Sequence, residues 1–270
     1  MLSIFSWFGY RELSPAESLR LIRQAGFGGV TLWWDGEFDG PAYRQQAALA
    51  RREGLYVENI HASFGGASDL WEDTEAGAAF AQTLLDCVED CAEFEIPAMV
   101  IHPTYDAGRT GVPPVSEIGL RRYDAIVARA ESLGVNVAME NLCGPEANAR
   151  AAYLLDRIDS PRFGFCFDSG HHNARKSFAP ETDLFARFGH RLMALHLHDN
   201  DGTGDQHRLP FDGNIDWPAT MRQIAQSGYQ GNLHLEIHRN LHYDGYLGIP
   251  PEEFLARAYE RAVQLEQLRI

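Results

Sequence analysis

Short apolar runs alternate with amphipathic stretches of helical length eight times along this chain, and that alternation restricts its fold more than any other feature. The apolar runs lie near residues 2–8, 29–34, 56–64, 98–105, 136–142, 163–169, 192–199 and 232–239. Between them the helical stretches carry terminal signals. Ser14-Pro15, with Glu17 three residues after the cap, reads as the start of the first helix and Gly26 as its end, while Gly54, Gly134 and Gly228 close three later helices just before the next strand. Eight strand-then-helix units predict an α/β fold with parallel strands, a (β/α)8 or TIM barrel. No Pro/Gly/Ser-rich linker or composition shift divides residues 1–270, so one domain is expected.

Composition narrows the function classes. The 23 Lys+Arg against 38 Asp+Glu give a formal net charge of −15, which excludes a simple cationic nucleic-acid binder. With 45% hydrophobic residues the chain can bury a large core. No apolar run approaches the ~18–20 residues that span a bilayer, and the first fifteen residues lack the cationic head and small-residue cleavage site of a secretory signal, so a cytoplasmic location is expected. Cys87, Cys91, Cys143 and Cys166 fall at no C-x-x-C spacing and are expected to stay reduced.

In a barrel of this kind the outward side chains meet the helices and are apolar, and the inward ones alternate with them. The sixth run puts Phe163, Phe165 and Phe167 on one parity and Gly164, Cys166 and Asp168 on the other; the seventh opposes Met193, Leu195 and Leu197 to Ala194, His196 and His198; the eighth opposes Leu233, Leu235 and Ile237 to His234, Glu236 and His238. Polar residues therefore point inward, with His234 deeper and His238 nearer the rim. On the third run the same alternation sends Glu58 outward if His61 points in. Active sites of such barrels form where strands end in βα loops. His61, His102, Glu140, Asp168, His196 and Glu236 stand at the ends of strands three to eight, and the loops add His171, Asp205 and His207. Asp199, Asn200 and Asp201 read as a solvated turn. The segments 65–76, 103–115 and 200–215 fall on the same side and are expected to roof the pocket.

Nine buried imidazoles and carboxylates would repel one another or lose solvation at a large cost unless a positive charge compensates. A divalent metal supplies it. Mixed nitrogen and oxygen donors without thiolate suit zinc first and manganese second, in one to three ions. Taken alone, any one of these side chains has an ordinary structural reading as a satisfied core group; their recurrence at six successive strand ends does not.

The stretches Met139-Glu140-Asn141, Phe167-Asp168-Ser169-Gly170-His171, His196-Leu197-His198-Asp199, Asp205-Gln206-His207 with Gly213-Asn214-Ile215-Asp216-Trp217, and Leu235-Glu236 resemble those of the xylose isomerase-like barrel superfamily. That superfamily includes sugar isomerases, ketose 3-epimerases, inosose-pathway enzymes and zinc-dependent apurinic-site endonucleases, and the resemblance covers essentially the whole chain. In its epimerase-like members it implies that Glu140, Asp168, His196 and Glu236 hold one metal, that His171 contacts substrate, and that Glu140 and Glu236 remove and return a proton beside a metal-chelated carbonyl. In its endonuclease branch it implies a trinuclear zinc site on all nine residues, with Glu140 bridging. The chain has one lysine, Lys176, and the stretch before Asp205 is short, which disfavours a phosphate backbone. The expected substrate is a small sugar or polyol, with no nucleic acid or membrane partner; the oligomeric state stays open, a homo-oligomer included. The alternative is a di- or trinuclear zinc hydrolase of the phosphodiesterase type. Arg208 is expected to position substrate oxygens beside His171, and Trp7, Trp33, Phe64 or Tyr105 to form an apolar wall or to pack the barrel.

Overall fold

The structure of the chain, a computed structural model, describes residues 1–35, 42–105, 113–174, 183–239 and 242–269. Strands β1 (Leu2–Phe5), β2 (Gly29–Trp34), β3 (Tyr56–Ala62), β4 (Ala98–Ile101), β5 (Asn136–Glu140), β6 (Phe163–Asp168), β7 (Leu192–His196) and β8 (Leu233–Leu235) form one sheet in the order 7-6-5-4-3-2-1-8. Every paired strand is parallel. The remaining gap, between β7 and β8, is bridged by Leu197 and Leu235, with Leu197 N donating to His234 O at 2.9 Å and Glu236 N to Leu197 O at 3.1 Å. The barrel is thereby closed, as the eightfold alternation requires.

Among the described residues the connecting helices are α1 (Pro15–Ala25), α2 (Gln46–Arg52), α3 (Glu75–Glu93), α4 (Glu117–Leu133), α5 (Pro145–Arg157), α6 (Ser169–Ala174), α7 (Leu184–Phe188), α8 (Trp217–Gln226) and α9 (Pro251–Leu268). The terminal signals act as read. Ser14 and Glu17 form a reciprocal capping box on α1, and Gly26 ends that helix at φ 110°, a conformation that an L side chain adopts only with strain. No helix of the described residues is long and apolar enough to cross a membrane, and none of the four cysteines is paired.

Two cores result from the alternation. The outer one, between sheet and helices, gathers Ile4, Leu32, Ile60, Met99, Met139, Phe165, Leu195 and Leu235 with the apolar faces of the helices. The inner one is small: Val100, Ala138, Cys166 and Ala194 fill the barrel at mid-height. Above it Phe5 lies fully buried, its ring 5.0 Å from that of His196, 5.1 Å from His234 and 4.8 Å from Trp33. Phe5 is the floor beneath the polar strand ends.

The structure corrects two expectations. The register between β2 and β3 shifts between Val30 and Thr31, so that Val57 faces Val30 while Asn59 faces Thr31. Glu58 is the extra residue. A bulge of this sort re-aims a side chain, and Glu58 enters the barrel base instead of leaving it, with Oε2 3.6 Å from His234 Nδ1. Burial raises the Glu58 pKa, but His234, Ser3 and Asn232 outweigh it and hold the group below its usual range. The second correction concerns the turn after β7. Asp199 and Asn200 are completely buried. Asp199 accepts from Asn200 N at 2.9 Å, Phe211 N at 3.0 Å, Ile215 N at 3.2 Å and the Trp217 indole at 2.8 Å, which staples the whole 200–216 loop to the barrel rim.

Replacing Asp199 with Ala leaves four donors without their acceptor. At about 1–3 kcal/mol for each unpaired buried group, Asp199→Ala is expected to lose at least ~3 kcal/mol of stability in urea unfolding, and a loss under 1 kcal/mol would show that the loop is held by something else.

Candidate active site

The strand ends bring the inward polar residues to one place. Glu140 and Asp168 are the last residues of β5 and β6, His196 is the last of β7, and Glu236 follows β8 by one position. Their donor atoms all lie within 4.8 Å of one another, and all four residues are buried. His61, one residue before the end of β3, and His102, just past β4, approach the same carboxylate: Glu140 Oε2 is 3.3 Å from His61 Nε2, 3.2 Å from His102 Nε2 and 3.3 Å from His196 Nδ1. His196 Nδ1 is also 2.9 Å from Glu236 Oε2.

These separations are informative because most are not hydrogen bonds. His102 Nε2, Glu140 Oε2, His196 Nδ1 and Glu236 Oε2 are buried and none has a hydrogen-bond partner among the described residues. A separation of ~3.3 Å is what two donor atoms would show if both bound one ion at about 2.0–2.1 Å in a tetrahedral shell. The chemistry of the donor set and its unsatisfied atoms therefore fit a divalent ion. Backbone carbonyls fix which nitrogen each ring would turn to an ion. His61 Nδ1 lies 3.0 Å from Ala62 O, His171 Nδ1 2.9 Å from Asn141 O and His207 Nδ1 3.0 Å from Glu236 O, which leaves Nε2 of all three as the atom that would coordinate.

A second convergence lies beside the first. His171 Nε2 and His207 Nε2 stand 3.3 Å and 3.0 Å from Asp205 Oδ2. His198, Asp205 and His207 also offer donor atoms within 4.8 Å of one another. All nine sequence-read ligands thus meet at the barrel mouth. His198 is an addition: its Nε2 is 3.1 Å from both oxygens of Asp168, and Ser169 Oγ accepts from its amide at 3.0 Å and donates to its carbonyl at 2.8 Å. Its inward parity was the only signal for it. Gly170 makes room, since a Cβ there would stand 1.9 Å from the His198 ring.

Electrostatics reflect this crowding. Burial pushes the Glu140 carboxyl up, but His196 and His102 reverse that and hold it far below the usual carboxylate range. Glu236 behaves alike, held down by His196 and His207 against its burial. Both are ionised. Burial lowers the pKa of His102, and Glu140 only partly offsets it.

Above the cluster opens a cavity of about 620 Å³. Trp33, Phe64 and Tyr105 make an aromatic wall, with Phe64 stacked on His102 at 4.8 Å. Thr104, the segment 142–147 after β5, and His238 and His242 after β8 complete the lining. Cys143 lines it as a thiol, pushed up to about 11 by burial. Of the segments expected to roof the pocket, 103–115 and 200–215 contribute Thr104, Tyr105, Asp205 and His207, while 106–112 lies outside the described residues. The segment 65–76 contributes nothing to the lining; it turns away as a 3-10 helix, Ala67–Trp71, whose Trp71 indole donates to Pro103 O at 2.7 Å. Two sequence-read substrate residues stand elsewhere. Arg208 bonds Asp201 Oδ2 at 2.6 Å and lies 4.2 Å over the Tyr243 ring, and Trp7 packs against His238 at 4.7 Å. Lys176 lies outside the described residues.

Comparison with known proteins agrees with this fold. A family model described as xylose isomerase-like TIM barrel matches residues 19–261. The uncharacterized protein y4fM of Sinorhizobium fredii is 30% identical over 93% of this chain and 88% of its own length. Among solved structures, D-psicose 3-epimerase with D-tagatose from Clostridium cellulolyticum H10 superposes with a TM-score of 0.78 at 14% identity, covering 99% of this chain and 98% of that one. The IolI protein with a bound zinc atom superposes with a TM-score of 0.78 at 16% identity, covering 100% and 99%. At these identities the structural likeness is one of fold.

Metal binding should be measurable in three ways. Stability of the metal-stripped protein should rise on adding zinc or manganese, by about 2.7 kcal/mol at a hundredfold excess over Kd, and Asp168→Asn should abolish most of that gain. Because imidazole ligands must be neutral, affinity should fall steadily as pH drops below the usual histidine range. His198→Ala, which removes the ring that orients Asp168, should weaken metal binding about 10–100-fold in chelator competition; unchanged affinity would make His198 mere packing.

Proposed function

This chain belongs to the xylose isomerase-like TIM-barrel family, and from that premise we propose that it is a metal-dependent isomerase or epimerase that moves a proton next to the carbonyl of a small sugar or polyol-derived substrate. The observation that carries the reading is the pair of buried carboxylates Glu140 and Glu236. They flank His196 Nδ1 at 3.3 Å and 2.9 Å and open onto a cavity of about 620 Å³, a size suited to a compact substrate.

Glu140, Asp168, His196 and Glu236 would hold the ion, zinc ahead of manganese. Bound there, a divalent cation supplies Lewis-acid polarisation of a carbonyl oxygen and so acidifies the neighbouring C–H. The protein supplies the base. Glu140 and Glu236 stand at the ends of separate strands, and each, when ionised, can take a proton and, once protonated, return it; placed on two faces of one carbon they would exchange its configuration, and on one face they would move the proton to the next carbon. His171 lines the cavity with Nε2 3.3 Å from Asp205 Oδ2 and would orient a substrate oxygen. The aromatic wall of Trp33, Phe64 and Tyr105 excludes water from the reacting centre and suits the C–H face of a sugar. The structural likeness to D-psicose 3-epimerase and to IolI supports the same class.

A second reading rests on a specific observation. His61 and His102 converge on Glu140 Oε2 while His171 and His207 converge on Asp205 Oδ2, which provides donors for two further ions beyond the one that proton transfer uses. Such a set favours metal-assisted hydrolysis of a phosphoester.

Counting metal in protein purified without added metal separates the two: one ion per chain is expected, and two or three favour hydrolysis. Incubation with ketoses and inososes in deuterated water should incorporate deuterium into at least one of them. Glu236→Gln should abolish that exchange with the fold intact by circular dichroism. Absence of exchange with every sugar, together with cleavage of a phosphodiester or abasic-site substrate, would overturn the isomerase reading.

A further inference from the structure

The 3-10 helix Ala67–Trp71 adds no residue to the cavity lining, yet it holds one of the cavity's walls. Ser68 is 2% exposed, and its hydroxyl meets three atoms of the stretch that follows β4. It donates to Tyr105 O at 2.5 Å, accepts from Tyr105 N at 3.0 Å and lies 2.7 Å from Thr104 Oγ1. A hydroxyl has one hydrogen and two lone pairs, so with the hydrogen on Tyr105 O the third bond must be donated by Thr104. The Ser68 hydroxyl is then fully used. Beside it the Trp71 indole holds Pro103 O, and the buried Tyr123 hydroxyl donates to His102 O at 2.9 Å. Every residue from His102 to Tyr105 is thus tied to a buried side chain that lies outside the lining. The 3-10 helix is anchored in turn. Arg122 of α4 donates Nη1 to Leu70 O at 2.9 Å and to Glu72 O at 2.6 Å, and Ser116 Oγ donates to Trp71 O at 2.6 Å. At Gly119 a Cβ would stand 2.3 Å from the Trp71 ring, so α4 closes on the helix at a distance that only glycine permits.

We propose that Ser68 is a positioning residue for the substrate wall: its hydroxyl sets where Thr104 and the Tyr105 ring stand in the cavity, and so which substrate the cavity accepts. In its choice of sugars as that substrate the proposal rests on the reading given above. Tyr105 carries the effect inward. Its ring meets Phe64 edge-on at 4.7 Å, and Phe64 lies on His102, so the place of Tyr105 decides how closely the aromatic wall approaches the ligand cluster. A sugar laid with its C–H face on such rings gains or loses contact with small changes in their placement. The four side chains that would hold the ion stand at the ends of β5 to β8, on other strands, and do not depend on Ser68 for their places.

The test reads the wall before it reads any substrate. In metal-loaded protein carrying 13C in its tyrosine rings, the Tyr105 resonances are compared between the parent and Ser68→Ala, which leaves Tyr105 N, Tyr105 O and Thr104 Oγ1 without their shared partner. They should be displaced with metal content unchanged, and Ser68→Thr, which keeps the hydroxyl, should bring them back. D-psicose, D-tagatose and D-fructose are then added separately. For at least one of them Ser68→Ala should weaken Kd about tenfold, and by unequal factors across the three, so that their order changes. For a ketose that is turned over, the fall in kcat/KM should be carried by KM, because Glu140 and Glu236 keep their places. Thr104→Val, similar in shape, removes one of the three bonds and should displace the same resonances less; it carries the test if Ser68→Ala does not fold. Tyr105 resonances that stay in place in both variants, or Ser68→Ala Kd values within about twofold of the parent for every sugar that binds, overturn the proposal. Displaced resonances in a protein that binds none of the three sugars uphold the positioning role and count against the sugar reading.

Discussion

A carboxylate in the middle of a protein, surrounded by imidazole nitrogens, governs this molecule. Glu140 is 1% exposed, and its Oε2 has three such nitrogens at 3.2–3.3 Å. A charge so placed forfeits its hydration and must be compensated within the site. A cation held among these side chains would compensate it, because the ring lone pairs would then point at a positive charge instead of at one another. The same requirement applies to Asp168 and Glu236. The whole mouth of the barrel is one electrostatic unit, and no member of it can be understood alone.

The remainder of the fold serves to hold that unit still. Large apolar side chains are sent outward to the helices, which leaves only Val100, Ala138, Cys166 and Ala194 at mid-barrel and Phe5 above them as the platform for the imidazoles. Strand ends are tied in pairs: Asn141 Oδ1 accepts from Asp168 N at 2.9 Å while its Nδ2 donates to Asp168 O at 2.9 Å, so β5 and β6 present Glu140 and Asp168 at a fixed offset. Asp199 does the equivalent for the long loop after β7, and through it for Asp205 and His207. His198, at the same rim, is wedged against Gly170 and holds both Asp168 oxygens.

Much of this was legible in the residues. Hydrophobic period located all eight strands, and the larger errors lie at their carboxyl ends: β1, β4, β7 and β8 stop at Phe5, Ile101, His196 and Leu235, three or four residues before the apolar runs do. The reason is physical, since a rim residue that lines a pocket is as buried as one in the ladder and reads as strand. Parity placed His61, His196 and Glu236 inside and His238 near the rim. Glu58 escaped because a bulge adds one residue to the count, and nothing in Tyr56-Val57-Glu58-Asn59 announces where the extra residue falls. Asp199 escaped because an aspartate beside Asn and Gly normally marks a solvated turn, and only its distant partners Phe211, Ile215 and Trp217 make it a buried staple.

The sequence by itself determined the barrel and the chemical character of its mouth, because alternation of side chains and capping residues are local properties, written within a few positions of one another. It could not decide which inward groups share a donor atom's reach, which rings stack, or which loop closes over the cavity. The stacking of His238 on His207, the turning of Arg208 to Asp201 and the departure of residues 65–76 from the rim involve segments far apart in the chain or a balance between competing contacts. Only closure of the eight strands into a ring sets those distances, since register around the whole circumference, and not any one strand, fixes where each end stands.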